Sequence, residues 1–125
     1  MVPGYSAVFT ALKPVFATAA RRLAVKTDTA TEYTLNTRSP SPFPQHKGQP
    51  LFFGSVRIGK AYVSLHLMPL YMNPALLLKI SPDLMKRMTG KACFNFKSVP
   101  EKTLIAELKR LSGTCLDQWK QQNWL

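Results

Sequence analysis

The chain has 125 residues, 46% hydrophobic and 18% charged, which suits one domain with one core and excludes a disordered chain. Seventeen Lys and Arg against six Asp and Glu give a net charge of +11, which favours anionic partners but does not bear on fold. Two cysteines, Cys93 and Cys115, make no disulfide framework and point to a reducing, cytoplasmic compartment. No apolar run approaches the roughly 20 residues that span a bilayer.

Residues 5–23 are predicted as a helix. Val8, Leu12, Val15, Phe16, Ala19 and Leu23 recur at three- and four-residue steps, and Pro14 should kink or restart the helix. Residues 1–27 hold no acid and carry Lys13, Arg21 and Arg22, which also describes an organellar transit peptide. The apolar stripe instead gives this segment a place inside the domain. Val25, Thr27, Tyr33 and Leu35 alternate with polar residues, predicting two strands in 24–37 with a turn at Asp28 to Thr31.

Residues 38–50, RSPSPFPQHKGQP, read as a surface loop rather than an interdomain linker. Leu51–Ile58 and Ala61–Met68 are predicted strands joined by a tight turn at Gly59-Lys60. Ser81 is placed as an N-cap, Pro82 as the first helical residue and Gly90 as the left-handed stop, giving a helix over 82–89. Lys91 to Lys97 is a strand. Ser98-Val99-Pro100-Glu101 has the spacing of a capping box. Leu104, Leu108, Leu111, Cys115 and Trp119 form the stripe of a last helix, which Gly113 should end or bend. The order α-β-β-β-β-α-β-α predicts an α+β domain of residues 1–125. Its sheet is largely antiparallel, of about five strands, with helices on one face.

Strand alternation then divides the sheet into two faces. Phe52, Val56, Ile58, Ala61, Val63, Leu65, Leu67, Phe94 and Phe96 are assigned to the helix-covered face. Phe53, Ser55, Arg57, Tyr62, Ser64, His66, Met68, Cys93, Asn95 and Lys97 are assigned to the other. The second set mixes aromatics, hydroxyls, an imidazole and cations, which suits a partly covered groove or a dimer surface as well as an ordinary exposed face. Phe53, Arg57, Tyr62, Ser64, His66, Lys91 and Cys93 are the candidate ligand contacts.

Cys93 is the sharpest candidate for chemistry. Lys91 and Lys97 on its face would favour a thiolate, and His66 on a neighbouring strand could act as base. The bland alternative is a small apolar residue filling the sheet. No catalytic set, metal ligand set or cofactor is expected: HxH, HExxH, CxxC, GxGxxG and GxSxG are all missing. Asp83 and Glu101 fall in predicted first helical turns, and Glu107 stands three positions before Arg110, as a local surface pair would. Arg21-Arg22, Lys86-Arg87 and Lys109-Arg110 are basic pairs, two of them in last helical turns. They read as solvated helix faces before they read as a nucleic-acid surface.

The run from Phe53-Gly54 through Val63-Ser64-Leu65 and Pro69, then SPDLMKRMTGKACFNFK at 81–97, resembles the YdhG-like domain family. The most specific part is Ile80 to Lys97, and the resemblance also takes in the N-terminal helix, the VKTDT and YTL strands and the last helix. It implies a small, mostly bacterial domain of the same α+β architecture, and it supplies no catalytic residues. Some members are described as frataxin-like iron chaperones. That role relies on acidic side chains along an early helix, and residues 1–27 have none. The functional expectation is therefore non-enzymatic. The open sheet face would bind an amphipathic or anionic small ligand, a partner protein or a second copy of the chain. Alternatives are thiol-dependent chemistry at Cys93, nucleic-acid binding through the basic surface, and iron chaperoning, which the lack of acids disfavours.

Overall fold

The computed structural model describes residues 4–125. Helix α1 (Tyr5–Leu12) passes through a 3-10 turn (Lys13–Phe16) into α2 (Ala17–Ala20). Pro14 sits in that turn, where its missing N–H and fixed φ are tolerated, so the predicted helix is restarted rather than broken. Tyr5, Val8, Leu12, Val15, Phe16, Ala19 and Leu23 are all buried, as the stripe requires.

A single antiparallel sheet follows, with strand order β1-β2-β3-β4-β6-β5. Its strands are β1 (Ala24–Asp28), β2 (Glu32–Pro40), β3 (Pro50–Ile58), β4 (Val63–Leu67), β5 (Met88–Thr89) and β6 (Cys93–Phe96). The domain is thus α+β, with one strand more than expected. The extra strand comes from the segment predicted as a helix over 82–89. Helix α4 is only Pro82–Met85, and Met88 and Thr89 instead pair with Phe94 and Cys93. Gly90, at φ +69°, makes the turn between them.

The β1 edge is bulged between Val25 and Thr27. β2 loses its regular pairing with β3 between Asn36 and Pro40. There the buried Thr37 hydroxyl substitutes for the ladder: it accepts from Leu51 N (2.9 Å) and donates to Ser39 O (2.8 Å). The loop between β2 and β3 is not loose. It turns through a 3-10 segment (Pro44–His46) and folds back so that Phe43 meets Trp124, ring centres 5.3 Å apart.

The β3–β4 hairpin is wider than a two-residue turn. Ile58 pairs with Val63, and Gly59 N donates to Tyr62 O across a four-residue loop, so Ala61 and Tyr62 lie outside β4. The α1 residue Tyr5 donates its hydroxyl to Ala61 O and pins this loop. β4 ends at Leu67, and Met68 opens α3 (Met68–Met72), where Pro69 is in the first turn.

Helix α5 (Lys102–Gln121) runs without a break past Gly113. Its N-cap is Glu101 with no side-chain cap bond, so the expected capping box does not form. Glu101 is itself extended, at φ −61° and ψ 155°, so it precedes the helix instead of lying in its first turn. Leu104, Leu108, Leu111, Cys115 and Trp119 are buried against the 3-10 turn, α2 and α3. Phe53, Phe16 and Trp119 form the centre of the core: Phe53 lies edge-on to Phe16 (6.2 Å) and to Trp119 (5.4 Å).

Phe53 therefore corrects the face assignment. One step along β2, from Leu35 to Asn36, spans two along β3, from Gly54 to Phe52. Phe53 is the extra residue of a β-bulge, which inverts side-chain parity on its N-terminal side. Phe53 goes into the core and Phe52 onto the open face, the reverse of the expectation.

Candidate functional site

The face turned away from the helices is built in rows. Cross-strand partners align Glu32, Arg57, Ser64 and Asn95 in one row. Thr34, Ser55, His66, Cys93 and Thr89 form the next. Val63, Leu65 and Leu67 of β4 are buried while Ser64 and His66 are only partly so, giving the alternation a one-sided sheet demands.

Neighbouring side chains in these rows bond to one another. Ser64 Oγ donates to Asn95 Oδ1 (2.9 Å), and Asn95 Nδ2 donates to Thr89 Oγ1 (2.7 Å). Thr34 Oγ1 donates to Glu32 Oε2 (2.9 Å). Arg57 stands 4.0 Å from Glu32 Oε1 with its side chain 71% exposed, a contact worth little in water.

His66 and Cys93 are direct cross-strand partners, with His66 Nδ1 2.7 Å from Cys93 Sγ. Burial lowers the imidazole pKa from 6.5 and raises that of the thiol. Both shifts favour a neutral pair in which the S–H donates to Nδ1. The ring proton then sits on Nε2, which is buried and has no partner among the described residues. Neither Lys91 nor Lys97 contributes to the thiol shift, which has burial as its cause. Both lysines are exposed, and burial moves the thiol away from the thiolate, toward the bland reading of Cys93 as a residue that fills the sheet.

Of the predicted contacts, the structure brings together Ser64, His66 and Cys93, with Arg57 beside Ser64. It removes Phe53 to the core. Tyr62 is half-buried in the hairpin loop, and Lys91 lies in the β5–β6 turn with its ammonium over the Tyr71 ring, 5.8 Å from the centre.

Phe52, unassigned to this face by alternation, is the pivotal residue. Its ring lies 5.3 Å from that of His66. It also lines a cleft of about 430 Å³ with Phe43, His46, Met68, Tyr71 and Met72, between the proline-rich loop and α3. Gly54 in mid-strand was the signal for the bulge that places it there. Tyr71 is 60% exposed, a large apolar group left on the rim.

Among the described residues no three His, Cys, Asp or Glu side chains gather as metal ligands would. Glu107 does not pair with Arg110. Its carboxylate accepts from Ser81 N (2.7 Å) and Ser81 Oγ (2.6 Å), while that hydroxyl accepts from Leu84 N (3.2 Å) as the α4 cap. Lys109 and Arg110 lie in the middle of α5 rather than in its last turn. No helix of the described residues is long and apolar enough to cross a membrane. Comparisons with family models, with curated proteins and with solved structures gave no match.

Proposed function

We propose that this chain is a non-enzymatic binding domain for an amphipathic anionic small molecule, held in the cleft between the proline-rich loop and α3. One observation carries the reading: the apolar cleft is lined by Tyr71, whose ring has the Lys91 ammonium beside it, and by Phe52, whose ring meets His66 of the polar sheet face. An apolar chain would bury itself against Phe43, Phe52, Met68 and Met72, and its acidic head would meet Lys91. The resemblance of residues 80–97 to YdhG-like domains belongs to the same proposal and adds no catalytic residue to it. Thiol chemistry at Cys93 ranks second because burial holds that thiol protonated.

Calorimetric titration with laurate, and with its neutral methyl ester as control, tests the proposal. Laurate should bind at least tenfold more tightly than the ester. Lys91→Glu should abolish that preference, and Tyr71→Ser should weaken both. Both residues are exposed, so neither change threatens the fold. Equal binding of acid and ester, or laurate affinity unchanged in both variants, would sink the reading.

A further inference from the structure

We infer a second, independent site: the groove between residues 74–80 and α5 docks an acidic peptide segment that carries a large apolar side chain. The groove encloses about 480 Å³, within the range of ligand-sized clefts. Leu76, Ile80 and Leu111 give it an apolar lining, with Lys79 and Arg110 as its cations. Leu78 lies on it with 84% of its surface in water, the most exposed large apolar side chain among the described residues.

Charge selects the occupant. Glu107 also lines the groove, but its carboxylate is bound by Ser81 through two hydrogen bonds. Those bonds also fasten the end of the 74–80 segment to α5, so the two walls are tied together. Neither Lys79 nor Arg110 has a carboxylate within ion-pair distance among the described residues. An acidic segment would supply the missing partners. A second copy would bring its own net charge of +11 against this one, which opposes self-association. A bilayer is the poorer match because Leu78 is a single protruding apolar side chain, whereas interfacial insertion buries a whole apolar face.

The test uses the full chain and fluorescence anisotropy. The probe is a fluorescein-labelled amphipathic helical peptide built from leucine and glutamate, with a leucine–lysine peptide as control. The acidic peptide should bind and the basic one should not. Leu78→Ala should weaken binding at least tenfold, with roughly fiftyfold as the limit when all three removed carbons are fully buried in the complex. Lys79→Glu with Arg110→Glu should weaken it by about the same factor and reduce its salt dependence, as the net charge falls by four from +11. All three positions are exposed, and unchanged far-ultraviolet circular dichroism verifies the fold. Laurate binding should be unaffected by these variants, so the failure of one site does not imply that of the other. No binding of the acidic peptide, equal binding of both peptides, or binding unchanged in the variants overturns the inference. So does Leu78-dependent capture by phosphatidylserine vesicles without peptide binding, which would assign the groove to lipid. A dimer that Leu78→Ala dissociates would assign it to a second copy and overturn it equally.

Discussion

Replacing Gly54 with alanine is expected to destabilise the domain through one methyl group. Gly54 is buried in β3, with Leu35 and Leu67 as its cross-strand partners. A Cβ there would stand 2.7 Å from the His66 carbonyl oxygen and 2.9 Å from Phe16 Cζ, where ordinary contact begins near 3.4 Å. The carbonyl belongs to the strand backbone and cannot swing aside. Phe16 is fully buried and abuts Phe53, so its ring has little room to retreat. Overpacking of this kind costs about 1–3 kcal/mol, and two contacts under 3 Å place this case near the top of that range. The gain from removing a flexible glycine, about 0.5–1 kcal/mol, offsets only part of it. A net loss of about 2 kcal/mol lowers Tm by roughly 6–10 °C for a chain of this size. Urea unfolding followed by the fluorescence of Trp119 and Trp124 measures the change. Gly113→Ala is the control: its Cβ would meet nothing within 4 Å, and α5 should gain about 0.5–1 kcal/mol. A Gly54→Ala protein as stable as the parent would refute the close-packing argument for the bulge.

Thr37→Val should cost about 1–3 kcal/mol in the same urea assay, because Leu51 N–H is left buried without an acceptor. Glu107→Ala should cost a similar amount and loosen α4, visible as faster hydrogen exchange at Leu84 and Met85. Burial lifts the Cys115 thiol to about 12 from 9.0. An acid whose folded pKa is raised favours the folded state below its unfolded value, so stability should fall as pH rises from 9 to 12, by on the order of 4 kcal/mol for this group. Cys115→Ala should flatten that slope in pH-dependent unfolding. Iodoacetamide labelling of the native protein should modify Cys93 with a midpoint above 9.0 and leave Cys115 untouched; a midpoint below 8 at Cys93 would restore the case for an activated thiol.

The β4 residues show what the sequence could tell. Ser64 and His66 alternate with Val63, Leu65 and Leu67 along a regular strand, and such a strand exposes its pleat directly in the pattern. β3 does not, because its bulge inserts one residue and shifts everything before it by one face. Phe53 was therefore misassigned and Phe52, the residue that joins the cleft to the polar rows, was missed. Ser81 was legible as a cap from its neighbours, but its bond to Glu107 crosses 26 positions, and no local rule reaches that far. The 82–89 stretch carried the signs of a helix at both ends, a cap and a stopping glycine. Pairing of Met88 and Thr89 with β6 overrode them after a single turn. The cleft at Phe43 and Tyr71 is formed by the proline-rich loop and α3, and the groove at Leu78 by residues 74–80 and α5, pairings that only the fold creates.

The two outermost strands limit how anything can approach this sheet. β5 offers a pair of residues, too short to template another chain, and β1 is interrupted where Lys26 sits between its paired positions. A charged kink on one margin and a stub on the other oppose strand addition, the usual route to runaway stacking. An incoming peptide that seeks main-chain hydrogen bonds thus finds no extended row of them, and contact with this domain has to be made through side chains.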